Sequence, residues 1–150
     1  MMELNADPEV IRYTGDVPFV DEREPRAIVE RLRRQFEARR MGRFVVLHRV
    51  TGEKLGWCGL RWNAAEEVAD LGYRFCRRYW GQGFATESSE ASIRYGFEEL
   101  GLDRIVAHAM KANVASVRVL ERLGFKQTGH GIFDGFESLG FELRRTGLSR

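Results

Sequence analysis

The stretch "RRYWGQGFATE", Arg77 to Glu87, restricts the fold of this chain more than any other. It sets Gly81 and Gly83 one residue apart between an apolar, β-type run, "EEVADLGYRF", and a helical pattern running from about Phe84 to Leu100. A strand that feeds a helix through glycines leaves the first N–H groups of the helix without backbone partners. Those donors and the positive end of the helix dipole form a natural site for an anion, phosphate above all. Taken alone, the two glycines are better accounted for by a plain strand-to-helix turn, so the loop has to be read with its surroundings. Two named phosphate loops are excluded. A P-loop requires a lysine followed by Ser or Thr, and no such lysine is present. A dinucleotide fingerprint requires a third glycine where Thr86 stands, after the first strand of a βαβ unit.

The rest of the chain frames that loop. Ile28, Leu32 and Phe36 repeat at helical spacing within 21–40, and Gly42 is the expected stop. "RFVVLHRV", the turn "TGEK" and "LGWCGLRW" predict a hairpin, and "EEVADLGYRF" predicts a third strand. Gly101 is placed to end the helix after the loop. "RIVAHAM" predicts a buried strand, and "NVASVRVLERLG" a helix with Asn113 as N-cap and Gly124 as stop. "FKQTGHGI" and "ESLGFELRR" predict a closing strand pair with Asp134-Gly135 at the turn. With 150 residues, no internal repeat and no linker, the expectation is one domain over 1–150. Its class is α/β (α+β mixed), a mixed, mostly antiparallel sheet flanked by helices.

Composition narrows the function classes. A hydrophobic fraction of 43% with 31% charged residues is ordinary for a globular domain. No apolar run approaches the roughly 18 residues of a membrane span, and "MMELNADPEV" lacks a signal-peptide pattern, so no membrane partner and a cytoplasmic location are expected. A net charge of +2, with the arginines of "RAIVERLRRQFEARR" interleaved with glutamates, gives no reason to expect nucleic acid. Cys58 and Cys76 have no framework spacing and are expected to be reduced and structural. The three histidines have no metal-ligand spacing, so no metal is expected.

Taken together, Arg78-x-x-Gly81-x-Gly83 between strand and helix resembles the Arg/Gln-x-x-Gly-x-Gly/Ala signature of the GNAT N-acetyltransferases. "DLGYRFCRRYWGQGFATE" is similar to that superfamily's fourth strand, pyrophosphate loop and third-helix start. "RIVAHAMKANVASVRVLERLGFKQTG" is similar to its fifth strand, fourth helix and sixth strand. The pattern spans about Asp7 to Arg145 and is most similar to the RimJ/RimL-like branch. The resemblance implies acetyl-CoA as co-substrate. The backbone of Gly81, Gln82, Gly83, Phe84, Ala85 and Thr86, behind Arg78, would hold the pyrophosphate. The Phe75 backbone and Asn113 would bond the pantetheine arm. Without the family, Asn113 reads equally as an N-cap and Phe75 as core.

The resemblance also implies direct attack of an amine on the thioester. An α-amino group, with a reference pKa of about 7.7–8.0, loses its proton far more readily than a lysine at about 10.4. Many relatives protonate the leaving thiolate from a tyrosine seven residues after the asparagine. Leu120 stands there, and no tyrosine is near in sequence. A serine at the Ser116 position carries that role in the branch, against a plain first-turn hydroxyl. Asp70 stands where relatives often place an acidic residue facing the cleft, and His108 and His130 are the histidine candidates for the base. The acceptor is expected to be a small amine, an amino acid or a protein N-terminus. It would lie among "DPEVIRYTGDVPFVDE", Trp57 to Trp62 and "HGIFDGFES", with Trp57, Trp62, Phe133 and Phe136 as walls. Asp16, Asp21, Glu22 and Asp134 give a faint acidic character. The rival reading is an acyl-CoA-binding regulatory protein on the same fold, and a third is a structural domain with an empty loop.

One departure stands out. Chains of this family usually open with a strand and a helix, and here Met1 falls about midway through that helix. Three readings stay open: a start site placed too far in, a trimmed chain, or a protein without the first strand. The last predicts a bare sheet edge, which invites a homodimer.

Overall fold

The computed structural model describes residues 1–133 and 135–146. Two short helices, α1 (Met2–Ala6) and α2 (Pro8–Ile11), precede the long α3 (Arg23–Arg39). Then come β1 (Arg43–Leu47), β2 (Lys54–Asn63) and β3 (Val68–Phe75), a 3-10 turn (Arg77–Tyr79) and α4 (Phe84–Glu98). The chain continues through β4 (Arg104–Ala109), α5 (Val114–Arg122), β5 (Lys126–Phe133) and β6 (Phe136–Arg144). The expected order of elements is therefore present, and the sheet is mixed and mostly antiparallel. The expected turn residue Asp134 lies outside the described residues. Gly42 is not the stop of α3. The helix ends two residues earlier on Arg40, which adopts a left-handed φ of 58° and donates its N–H to the Phe36 carbonyl at 2.7 Å. Gly101 and Gly124, with φ of 66° and 92°, do follow their helices as expected.

Among the described residues, six strands lie in the order β1-β2-β3-β4-β6-β5, and β3 and β4 are the one pair that runs parallel. Alternation along each strand separates two faces. Cys58, Leu60, Leu71, Ile105, Ala107 and Phe141 point to the face that α4 and α5 cover, and form the core with Leu120 and Phe125. Phe141, Ile105 and Leu120 are at most 2% exposed. Gly96 lets α4 settle on this face: a Cβ there would meet Leu60 Cδ1 at 2.8 Å. The opposite face carries Arg43, Trp57, Arg61, Asp70, Gly72, Arg74 and His108, which the strand registers bring side by side. A polar stripe across the middle of a sheet is costly unless it is used or paired. α1 and α2 close one end of it, with Leu4 and Val10 packed on Cys76, Trp57 and Tyr79. Strand β1 is one edge of the sheet, with Val45 61% and Leu47 55% exposed.

Candidate functional site

The parallel pair β3 and β4 is joined over a short stretch. Ala69 pairs with Ile105 and Asp70 with Val106, and beyond that point the strands diverge. Backbone N–H and C=O groups along the inner edges of both strands then face a gap instead of a ladder. That gap is the throat of a cleft of about 990 Å³, lined by Leu71, Tyr73, Ala107, His108, Asn113 and Ser116 and extending to Arg43, Trp57, Arg74 and Phe136.

At one end of the gap lies the glycine loop. Gly81 and Gly83 have φ of 71° and 84°, values that a side chain disfavours, and a Cβ on either would meet nothing within 4 Å. Gly83 caps α4 with no side-chain hydrogen bond, so the first-turn N–H groups of Phe84, Ala85 and Thr86 project from the helix end. The loop is held from behind, where Gln82 Nε2 donates to the Arg78 carbonyl at 2.9 Å and Trp80 Nε1 to the Phe75 carbonyl at 2.9 Å. The glycines thus leave open space directly over an uncapped helix end, which fits a phosphate-bearing ligand. The Arg78 side chain turns to Glu3, and Arg77 pairs with Asp7, its Nε 3.0 Å from Oδ2. The signature arginine therefore straps α1 to the loop.

Across the gap, Asn113 caps α5, its Oδ1 accepting from the Ser116 N–H at 3.2 Å. The cap reading thus holds for Oδ1, and the amide Nδ2 is a further donor on the same side chain. Phe75 is 5% exposed, so its ring is core while its backbone ends β3 at the gap. The Ser116 Oγ lies 2.7 Å from the Tyr73 hydroxyl. Burial pushes the Tyr73 phenol up to about 12, with the Ser116 bond acting in the opposite direction. Leu120 is 2% exposed in the core. A phenol therefore reaches the gap from β3, not from α5. Sequence reasoning missed it because proximity was judged along the chain; the β-alternation of Leu71, Tyr73 and Phe75 was the available signal.

On the opposite face, Asp70 is 3% exposed and accepts from Arg61 at 3.0 Å. Burial raises its carboxyl above the ordinary value, while Arg43, Arg61 and His108 act against that rise. His108 stacks on Phe133 at 3.7 Å between ring centroids, and its Nε2 lies 3.3 Å from Glu66 Oε1. Its Nδ1 is enclosed and has no hydrogen-bond partner among the described residues. His130, by contrast, is exposed on β5. Trp57, Phe133, Phe136 and Asp16 line the cleft as expected. Trp62 does not: it packs against the core cluster on the other face, with Arg39 stacked over it at 4.4 Å. Asp21 and Glu22 serve the start of α3 and pair with Arg23 and Arg26. Asp134 lies outside the described residues.

The loop and the gap can therefore hold an elongated ligand, with an anionic group on the loop and a strand-like arm in the gap, while the cleft takes a second molecule on the polar face. Comparison with known proteins agrees with this geometry. A sequence profile described as an acetyltransferase (GNAT) domain matches residues 1–126. An uncharacterized N-acetyltransferase, p20, of Bacillus licheniformis is 34% identical over 83% of this chain and 70% of its own length. The FsC-acetyl coenzyme A-N(2)-transacetylase of Aspergillus fumigatus is 29% identical over 82% of this chain and 55% of its own. The solved GNAT-family acetyltransferase of Bacillus anthracis superposes with a TM-score of 0.80 at 24% identity, over 96% of this chain and 86% of that one. The spermidine N-acetyltransferase of Vibrio cholerae, solved with CoA and spermine, does so with a TM-score of 0.77 at 21% identity, over 95% and 86%.

Proposed function

This chain belongs to the GNAT acetyltransferase family, and from that premise we propose that it transfers an acetyl group from acetyl-CoA to a primary amine by direct attack in a ternary complex. The observation that carries the reading is the open, uncapped N-terminus of α4 beneath Gly81 and Gly83, which follows directly on β3 after it has parted from β4. Bound acetyl-CoA supplies the activated acetyl thioester. The loop backbone from Gly81 to Thr86 holds its pyrophosphate through N–H donors and the dipole of α4. The Phe75 backbone and the Asn113 amide hold the pantetheine arm along the gap.

The acceptor enters from the polar face. Its nitrogen must lose a proton before it can attack, and His108, which lines the cleft and whose Nδ1 has no hydrogen-bond partner among the described residues, takes it. Nε2 lies 3.3 Å from Glu66 Oε1, a neighbour that favours the proton on Nε2 and leaves Nδ1 to accept. Asp70, whose charge His108 senses, favours the cationic acceptor before deprotonation and the imidazolium after it. Inner-edge N–H groups beyond Asp70 donate to the oxygen that gains negative charge. On the far side of the gap, the Tyr73–Ser116 pair holds a hydroxyl proton for the departing sulfur. Ser116 is the nearer of the two to the helix start that binds the arm, and Tyr73 orients its hydroxyl.

Calorimetric titration with acetyl-CoA, followed by thiol release on a mixed amine panel, tests the reading. Binding with thiol release that depends on the added amine is expected. Binding without turnover on any amine would favour a regulatory acyl-CoA-binding protein. Absence of binding would reduce the glycine loop to a turn.

A further inference from the structure

Three guanidinium groups crowd the polar face of the sheet. Arg61 is joined to Asp70. Arg74 donates to Asn5 Oδ1 at 2.8 Å and to Asp16 Oδ2 at 2.6 Å. Arg43 has neither a hydrogen bond nor an ion pair among the described residues, and its Nε is fully enclosed. The Arg74 Nε is likewise enclosed without a partner among the described residues. Both guanidinium groups lie against one indole: Arg43 is 4.8 Å and Arg74 5.5 Å from the Trp57 ring centroid. Among the described residues, Asp70 is joined to Arg61 and Asp16 to Arg74, which leaves Arg43 without an ion pair.

The place of Arg43 is built by the backbone. It enters from the edge strand β1 and lies flat on Gly72 of β3, where a Cβ would stand 2.5 Å from Nη2 and 2.6 Å from Cζ. Gly72 therefore keeps a channel open across the sheet for this one side chain, which lines the cleft. Burial holds the Arg43 guanidinium down to about 10, partly offset by Asp70, so it remains charged at neutral pH. A buried charge without a counter-ion is costly, and a ligand carboxylate removes that cost. A guanidinium is suited to it because its planar fork matches the two oxygens.

The geometry points to an acceptor that carries a carboxylate beside its primary amine, with Arg43 as its anchor: an amino acid, in contrast to a polyamine. This rests on the transferase reading above and narrows its substrate. The amine lies toward His108 and Asp70 at the mouth of the gap, and the carboxylate toward Arg43 and Trp57. A polycation would bring further positive charge beside Arg43, Arg61 and Arg74, where Asp70 and Asp16 are already paired with arginines.

The test pairs each free amino acid with its amide and its decarboxylated amine, in two readouts. One is thiol release from acetyl-CoA; the other is calorimetric binding to the CoA-loaded protein, which does not depend on turnover. The expected result is at least about tenfold higher kcat/KM and affinity for the free acid of the preferred side chain, the scale of one charge-assisted bond. In Arg43→Met, which keeps the stem, that ratio is expected to fall toward one with CoA affinity unchanged. Turnover of amines irrespective of the carboxylate, or an intact ratio in Arg43→Met, overturns the carboxylate site and leaves the transferase standing. Selective binding of the free acid with no turnover upholds the site and removes the transferase reading. Binding of none of the three forms overturns the carboxylate site, and the transferase reading then stands or falls on thiol release with the mixed amine panel.

Discussion

Gly83→Val is the most direct test of the loop, provided that strain is separated from ligand loss. A β-branched residue at φ of 84° is an outlier, and the left-handed region costs an L-residue about 1–2 kcal/mol. No atom of the described residues lies within 4 Å of the new Cβ, so no steric term is added and the protein should fold. For a domain of this size each kcal/mol moves Tm by about 2–4 °C, so the apo variant should melt about 2–8 °C lower. Gly101→Val is a matched control. Its φ is 66°, its Cβ would also meet nothing within 4 Å, and it sits at the other end of α4. Both variants should lose similar stability without ligand. At a hundredfold excess over Kd, a ligand adds about 2.7 kcal/mol, or about 5–10 °C, to the native protein. That rise should persist in Gly101→Val and vanish in Gly83→Val, whose side chain occupies the space over the helix end. Differential scanning fluorimetry with and without acetyl-CoA reads all four states. A folded Gly83→Val that keeps its acetyl-CoA rise refutes the assignment of the loop.

Other perturbations address the remaining groups. Tyr73→Phe removes the 2.7 Å bond to Ser116 and should cost about 1 kcal/mol in stability by denaturant titration. It should also lower kcat more than KM in the thiol assay, whereas a purely structural tyrosine would leave the kcat/KM partition unchanged. Gly72→Ala places a Cβ against the far end of the flexible Arg43, so the fold should persist by circular dichroism while the preference for a free carboxylate shrinks. Glu142 of β6 is held below the usual carboxylate range first by its bond from Arg104, 2.9 Å away, and further by Arg144. A depressed native pKa stabilises the fold above the ordinary carboxylate pKa, and that contribution fades as pH falls through the lower native value. Arg104→Met should therefore raise the midpoint of acid unfolding, followed by far-UV circular dichroism; an unmoved midpoint would deny the pair any weight.

Much of the fold is legible in the chain because it rests on local rules. The 3.6-residue repeat of Ile28, Leu32 and Phe36, the alternation of "DLGYRF" and the stops at Gly101 and Gly124 depend on neighbours a few positions away. Gly81 and Gly83 are legible for the same reason, since a left-handed backbone between strand and helix is a local demand. The end of α3 is the exception: Arg40 takes the left-handed position that a glycine two residues on was expected to serve, because its N–H is captured by Phe36.

What tertiary structure alone decided is which distant groups meet, and on which face. Tyr73 and Ser116 are far apart in sequence yet share a 2.7 Å contact, because β3 and β4 part after Asp70 and open a path to α5. Trp57 and Trp62 sit in one strand, but an odd separation sends one to the cleft and the other to the core. Arg43 became a candidate anchor only when the registers of β1, β2 and β3 laid it over Gly72 and beside Trp57. Local propensity specifies elements. Register and strand divergence, which long-range packing sets, determine where their side chains converge.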